Sequence, residues 1–214
     1  MLSLIEAKGF RCLKYVRQPL GPFHVMVGPN ASGKTTFLDA VAFLGRLVSD
    51  GLEAAIEERT QDFQDLVWGR SGDTFEIAVE ATYPEHHRQL VADPLLDTVR
   101  YEVAIGLDEE ASQLGILAEK VSLKERTTNP PRQLPLFPVE REAPPTIITS
   151  RQVGARAVIS KMRGGNDNFR PEVPEEKEKR WVFSYRLGTR KSALGNLPED
   201  ESKFPVSTWL KGLL

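Results

Sequence analysis

One cysteine, three histidines, no long apolar run and no excess of either charge sign set the first limits on this 214-residue chain. Cys12 has no second cysteine to pair with, which rules out an internal disulfide and fits a reducing cytoplasm. No apolar stretch approaches the roughly 18–20 residues that cross a bilayer, so no membrane partner is expected. The opening MLSLIEAKGFR lacks a basic segment followed by an apolar one, and so does not read as a secretory signal. The 28 Lys and Arg against 30 Asp and Glu leave a net charge of −2, which removes a chain-wide cationic field for nucleic acid and leaves room only for a local patch. His24, His86 and His87 form no zinc-ligand spacing with Cys12, and His86-His87 reads as a polar loop. No serine stands in a nucleophile-elbow setting, and no guanine-reading N-K-x-D motif is present.

What is present is the mix of a protein that buries a core, 40% hydrophobic and 27% charged. Residues 1–27 read as short strands, the last of them the apolar run Phe23-His24-Val25-Met26-Val27 leading into Gly28. From Lys34 to about Val48 the spacing turns helical, with Phe37, Leu38, Val41, Ala42, Leu44 and Val48 as the buried stripe and Asp50-Gly51 as the stop. A shorter helical stretch covers Glu53 to Glu58. The period then becomes two: Phe75 to Thr82, Tyr101 to Leu107 and, less cleanly, Ile116 to Leu123 predict antiparallel strands with one wet face. Pro130, Pro131, Pro135, Pro138, Pro144 and Pro145 mark a connector. Beyond it, Ile147-Ile148 and Ala155 to Met162 predict a hairpin, and Glu172 to Arg180 a solvated charged face. The aromatic row Trp181, Phe183, Tyr185 predicts a core strand, and Pro205 to Leu214 the start of a helix. These readings predict an α/β fold of α+β character. Its parts would be a nucleotide-binding lobe with antiparallel strands over 1–126, a connector over 127–146, and further strands over 147–214 running toward a second lobe.

The chemistry concentrates in Gly28-Pro29-Asn30-Ala31-Ser32-Gly33-Lys34-Thr35, which fits the phosphate-loop pattern G-x-x-x-x-G-K-[ST] between an apolar run and a helix. Glycines at 28 and 33 would allow positive φ and close approach to oxygen atoms. Successive N–H groups and the helix N-terminus would then surround a phosphate. Lys34 suits β- and γ-phosphate oxygens, and the Thr35 hydroxyl suits Mg²⁺, so the expected ligands are ATP and Mg²⁺.

From Ser3 to Leu44, with Phe10-Arg11 followed by GPNASGKTT, the chain resembles the N-terminal end of ABC-type ATPases of the SMC/RecF/OLD-like branch. The later Gly51 to Ile56 and Asp65 to Arg70 are similar to a bacterial subgroup of AAA/ABC-type ATPases, some of which act against phage. The resemblance implies a P-loop lobe with an antiparallel β-subdomain, and ATP held by residues 28–36, Thr36 included. It also implies two heads that dimerise head to tail, as a homodimer or with a partner head, acting on DNA or an effector. It implies that Arg11 reaches the nucleotide, the plain alternative being an ion-paired arginine. It further implies a glutamine that senses Mg²⁺ and γ-phosphate, for which Gln64 is chosen over Gln61.

Hydrolysis in this branch also needs an apolar strand ending in two acids and a Ser-Gly-Gly-type signature. Neither is found: Asp93 is followed by Pro94, Glu80 lies in an alternating strand, and Met162-Arg163-Gly164-Gly165 lacks the serine. Two readings follow, part of an ATP hydrolase or a nucleotide-gated module that does not hydrolyse. A P-loop kinase or GTPase fits less well, because strands precede the loop and antiparallel strands follow it.

Overall fold

The chain opens with a hairpin of β1 (Leu2–Phe10) and β2 (Leu13–Pro19). Helices α1 (Lys34–Asp50) and α2 (Leu52–Glu57) follow, then 3₁₀ turns at Phe63–Leu66 and Trp68–Arg70. Next come β3 (Thr74–Thr82), the single turn α3 (Glu85–Arg88), β4 (Thr98–Asp108) and β5 (Gln113–Lys124). The elements end with β6 (Ala155–Met162), β7 (Asp167–Phe169), β8 (Phe183–Tyr185) and α4 (Pro205–Leu213). The computed structural model describes residues 1–108, 113–126, 142–150, 154–173 and 182–214. Trp181, most of the proline connector and the run 174–180 lie outside them.

Among the described residues eight strands form one antiparallel sheet in the order β2-β1-β3-β4-β5-β6-β7-β8, so the class is mixed α/β with an antiparallel sheet. The strands predicted at 75–82, 101–107 and 116–123 form with the expected alternation. Register stacks Ile5 on Val79, Val79 on Tyr101 and Tyr101 on Val121 along one face. Helix α1 lies against that face, and Phe10, Phe43 and Phe75 meet there with ring centroids 5.1–5.8 Å apart. The buried stripe of α1 is Phe37, Ala40, Phe43, Leu44, Leu47 and Val48. The predicted stripe was rotated: Leu38 is exposed, because the helix turns its Ala40 and Phe43 side to the sheet. Gly51, at φ 91, ends the helix where Asp50-Gly51 predicts.

Other expectations fail for physical reasons. Phe23 to Val27 is not a strand: it runs irregular and exposed, with Phe23 83% and Val27 89% accessible. A strand needs a neighbour's N–H and C=O groups, and among the described residues none pairs with this run. The wet sheet face is not wet. Glu6, Glu76, Glu80, Arg100 and Glu102 all lie on the side opposite the helices and are all buried. The segment 144–150 lies over them. Ile147 N donates to Glu76 at 2.6 Å and Thr149 N to Glu102 at 2.7 Å, while Lys8, Arg100 and Lys120 donate to the segment's carbonyls. Ile147-Ile148 therefore forms no hairpin; β6 pairs instead with β5 and, across Gly164-Gly165, with β7.

Glu172 does not face solvent. It is wholly buried, and its carboxylate accepts from Val206 N, Ser207 N and Ser207 Oγ at the start of α4. His86 and His87 sit on the turn α3 rather than in a loop. On the apolar face Glu119 plays a comparable part. It accepts from Tyr101, Ser192, Ala193 N and Leu194 N, and so ties the 3₁₀ turn Leu194–Asn196 to the sheet.

Candidate nucleotide-binding site

The sequence GPNASGKTT forms an exposed loop that ends in α1, and two left-handed residues shape it. Gly33, at φ 86, precedes the first helical residue, and Ala31 stands at φ 63. The expectation of positive φ at Gly28 is replaced by a steric one: a Cβ there would sit 2.9 Å from Ser32 Oγ. Ser32 N closes a turn onto Pro29 O at 3.3 Å, and Phe37 N bonds Gly33 O at 2.9 Å to start the helix.

Lys34 reaches back into its own loop. Its ammonium donates to Gly28 O at 2.8 Å, to Pro29 O at 2.7 Å and to Ser32 Oγ at 3.2 Å. A cation is thus gathered with a glycine-rich turn and the start of a helix of 17 residues, a donor set suited to phosphate oxygens. Thr35 is exposed on the first helical turn, and Thr36 accepts from Cys12 Sγ at 3.2 Å. Asn30 and Pro29 are exposed at the tip.

Arg11 occupies the β1–β2 turn at φ 51, unusual for a residue with a Cβ. Its amide bonds Leu66 O at 2.8 Å, and Phe10 bridges Val67, so the turn is joined to the 3₁₀ segment that carries Gln64. Its guanidinium pairs with Asp39 of α1 at 2.7 Å. Gln64 lies on the 3₁₀ turn Phe63–Leu66, capped by Asp62. With its amide oriented to satisfy both ends, its nitrogen donates to Arg70 O and Gly72 O at 3.3 and 3.2 Å. Asp39 and Arg59, which join this neighbourhood, carried no motif. The one signal was the position of Asp39 a turn beyond Thr35 on the same helix. Glu80 accepts from Arg100 and Lys124 on the far sheet face, and Asp93 accepts from Leu95 N, so each is engaged elsewhere. Among the described residues no helix is long and apolar enough to cross a membrane, and no cluster of three metal-ligating side chains occurs.

Comparison with known proteins follows the same line. Residues 23–127 match the family described as "AAA domain, putative AbiEii toxin, Type IV TA system". The matched stretch takes in the glycine-rich loop, α1, α2 and the strands β3 to β5. Over 41 residues, 19% of this chain and 8% of the relative, it is 51% identical to the OLD nuclease of Thermus scotoductus (strain ATCC 700910 / SA-01). Over 100 residues, 42% of this chain and 24% of the relative, it is 29% identical to the DNA replication and repair protein RecF of Moorella thermoacetica (strain ATCC 39073 / JCM 9320). A solved SMC ATPase chain, studied for ATP-driven dimerisation and DNA-stimulated activation, aligns with TM-score 0.39 and 23% identity over 58% of this chain and 70% of that one. The chain is therefore similar, over part of its length, to an AAA-type ATPase domain, to an OLD nuclease and to RecF. It spans 8% and 24% of the two curated relatives it matches.

Proposed function

We propose that this chain binds ATP with Mg²⁺ through residues 28–36, and that it is the nucleotide-binding part of an ATPase whose heads associate when nucleotide is bound. The carrying observation is the Lys34 ammonium, held inside a loop with Ala31 and Gly33 both left-handed. The backbone N–H groups of 30–34 and the α1 N-terminus would receive the β-phosphate, and Lys34 would exchange its carbonyl partners for β- and γ-phosphate oxygens. Thr35 is the residue that would hold Mg²⁺, with Gln64 a second candidate. Bound Mg²⁺ would add positive charge between phosphate oxygens. Arg11 would approach the phosphates from the β1–β2 turn.

A relative that repairs DNA and another that is a nuclease support action on DNA or in defence through parts of a larger assembly. The second reading, a nucleotide-gated module without turnover, is favoured by the placement of Glu80. That acid is tied to Arg100 and Lys124 on the sheet face away from α1. Calorimetric titration of ATP·Mg²⁺ onto the wild-type chain and onto Lys34→Ala tests the site. Binding is expected in the first and lost in the second, and equal affinity would overturn the assignment.

A further inference from the structure

Asp39, on α1, is shared between two arginines that differ in how firmly they are held. Its Oδ1 receives Arg59 Nε at 2.8 Å and its Oδ2 receives Arg11 Nη1 at 2.7 Å. The Arg59 side chain is 9% exposed, also donates to Ala55 O at 2.9 Å, and stands over the Phe43 ring at 5.3 Å. The Arg11 side chain is 42% exposed, and Asp39 is its one partner among the described residues. Its backbone, by contrast, is fixed, through Leu66 O on one side and through the Cys12–Thr36 contact on the other. Cys12 Sγ also lies 3.3 Å from where a Cβ on Gly33 would be, so the Arg11 turn touches the phosphate loop itself.

We propose that Asp39 is a positioning residue that parks Arg11 on α1 until a triphosphate is bound and then releases it to the phosphates. This rests on the reading of residues 28–36 as a nucleotide site. Release is inexpensive, because an exposed arginine leaves one carboxylate oxygen for phosphate oxygens that match its planar fork better. Asp39 is not stranded by the exchange, since Arg59 stays bonded to its other oxygen. Were Arg59 the mobile partner, a side chain buried against Phe43 would have to leave its packing. Parking therefore lowers affinity for nucleotide by the fraction of molecules in which Arg11 is held back.

The test is titration of ATP·Mg²⁺ onto wild type, Asp39→Asn, Arg11→Gln and the double variant. Asp39→Asn is expected to tighten binding by about two- to fivefold, the span of an exposed ion pair. The gain should vanish when Arg11 is glutamine. Unchanged or weaker binding by a folded Asp39→Asn, or a gain that persists without Arg11, would overturn the proposal. The Nε–H resonance of Arg11 in the wild-type chain decides the matter if Asp39→Asn does not fold. It should shift on adding ATP·Mg²⁺ while that of Arg59 holds still, and an immobile Arg11 signal overturns the parking role. Absence of ATP binding by wild type would instead count against the nucleotide site.

Discussion

Glu172 and Ser207, 35 positions apart, are joined twice: the Ser207 amide and hydroxyl both donate to Glu172 Oε1, at 3.0 and 2.6 Å. Val206 N takes the other carboxylate oxygen at 2.6 Å. A helix start usually draws its cap from the adjacent residue, but here Phe204 supplies none and a distant buried glutamate does. Replacing Glu172 with alanine leaves these donors buried without an acceptor. A loss of about 2–3 kcal/mol of stability is expected in urea denaturation.

Burial pushes the Glu172 carboxyl up from its ordinary 4.5 to about 7, against the lowering effect of its hydrogen bonds to Ser207 and Val206. The folded chain therefore holds this proton more tightly than the unfolded one. Between pH 4.5 and 7 the unfolded chain gives it up first, so this group's contribution to stability falls as pH rises and levels off above pH 7. Glu172→Gln keeps one acceptor oxygen, enough for Ser207 but not also for Val206 N, and cannot titrate. Unfolding curves collected from pH 4.5 to 8 should lose that slope in the glutamine variant.

Gly33 and Ala31 should answer oppositely to substitution. Gly33→Ala places a Cβ at φ 86, 3.3 Å from both Cys12 Sγ and Leu13 Cδ2. It should cost about 1–2 kcal/mol and weaken ATP·Mg²⁺ binding. Ala31→Gly relieves a left-handed alanine at φ 63 and should be neutral or slightly stabilising. Paired thermal melts and titrations separate the two.

Among the described residues Arg100 alone touches three buried glutamates, Glu6, Glu80 and Glu102. Burial opposes its charge, but Glu102 and Glu6 beside it hold the guanidinium above its ordinary pKa. Arg100→Met should destabilise by about 3–5 kcal/mol, because carboxylates are left buried and short of a counter-charge. Hydrogen exchange at the Ile147 and Thr149 amides should quicken in that variant, since their acceptors Glu76 and Glu102 lie in the same network.

Phosphate release from ATP by this chain alone is expected to stay near background, and Glu80→Gln should not change it. Robust turnover that Glu80→Gln abolishes would show that this carboxylate leaves Arg100 and Lys124 to serve the reaction.

The parts legible in the sequence are those whose information is local. Alternation at 75–82 and 101–107, and the glycine after Asp50, each specify an element without reference to the rest of the chain. The turn from Gly28 into α1 is legible for the same reason: its residues are consecutive, and its shape depends on backbone freedom within eight positions. Phe23 to Val27 misleads because β-propensity states what a residue would do beside a neighbour and is silent on whether one exists. The alternating charges Glu76, Glu80, Arg100 and Glu102 suggest water because each alone would require it. Together, with the amides of 147 and 149, they satisfy one another. Asp39 and Arg59 were illegible because their partnership joins α1 to the turn after α2.

The strand order has a kinetic consequence. From β3 to β6 every strand pairs with the next one along the chain, so those pairings form from near neighbours. The hairpin β1–β2 is equally self-sufficient. Joining the two halves, by setting β1 beside β3, encloses the glycine-rich loop, α1 and α2 in one long excursion, and closing it carries a larger entropic cost than any of the hairpins. A chain that has zipped its sheet but not seated α1 would have every strand in register and the loop before Lys34 still without the helix that anchors it.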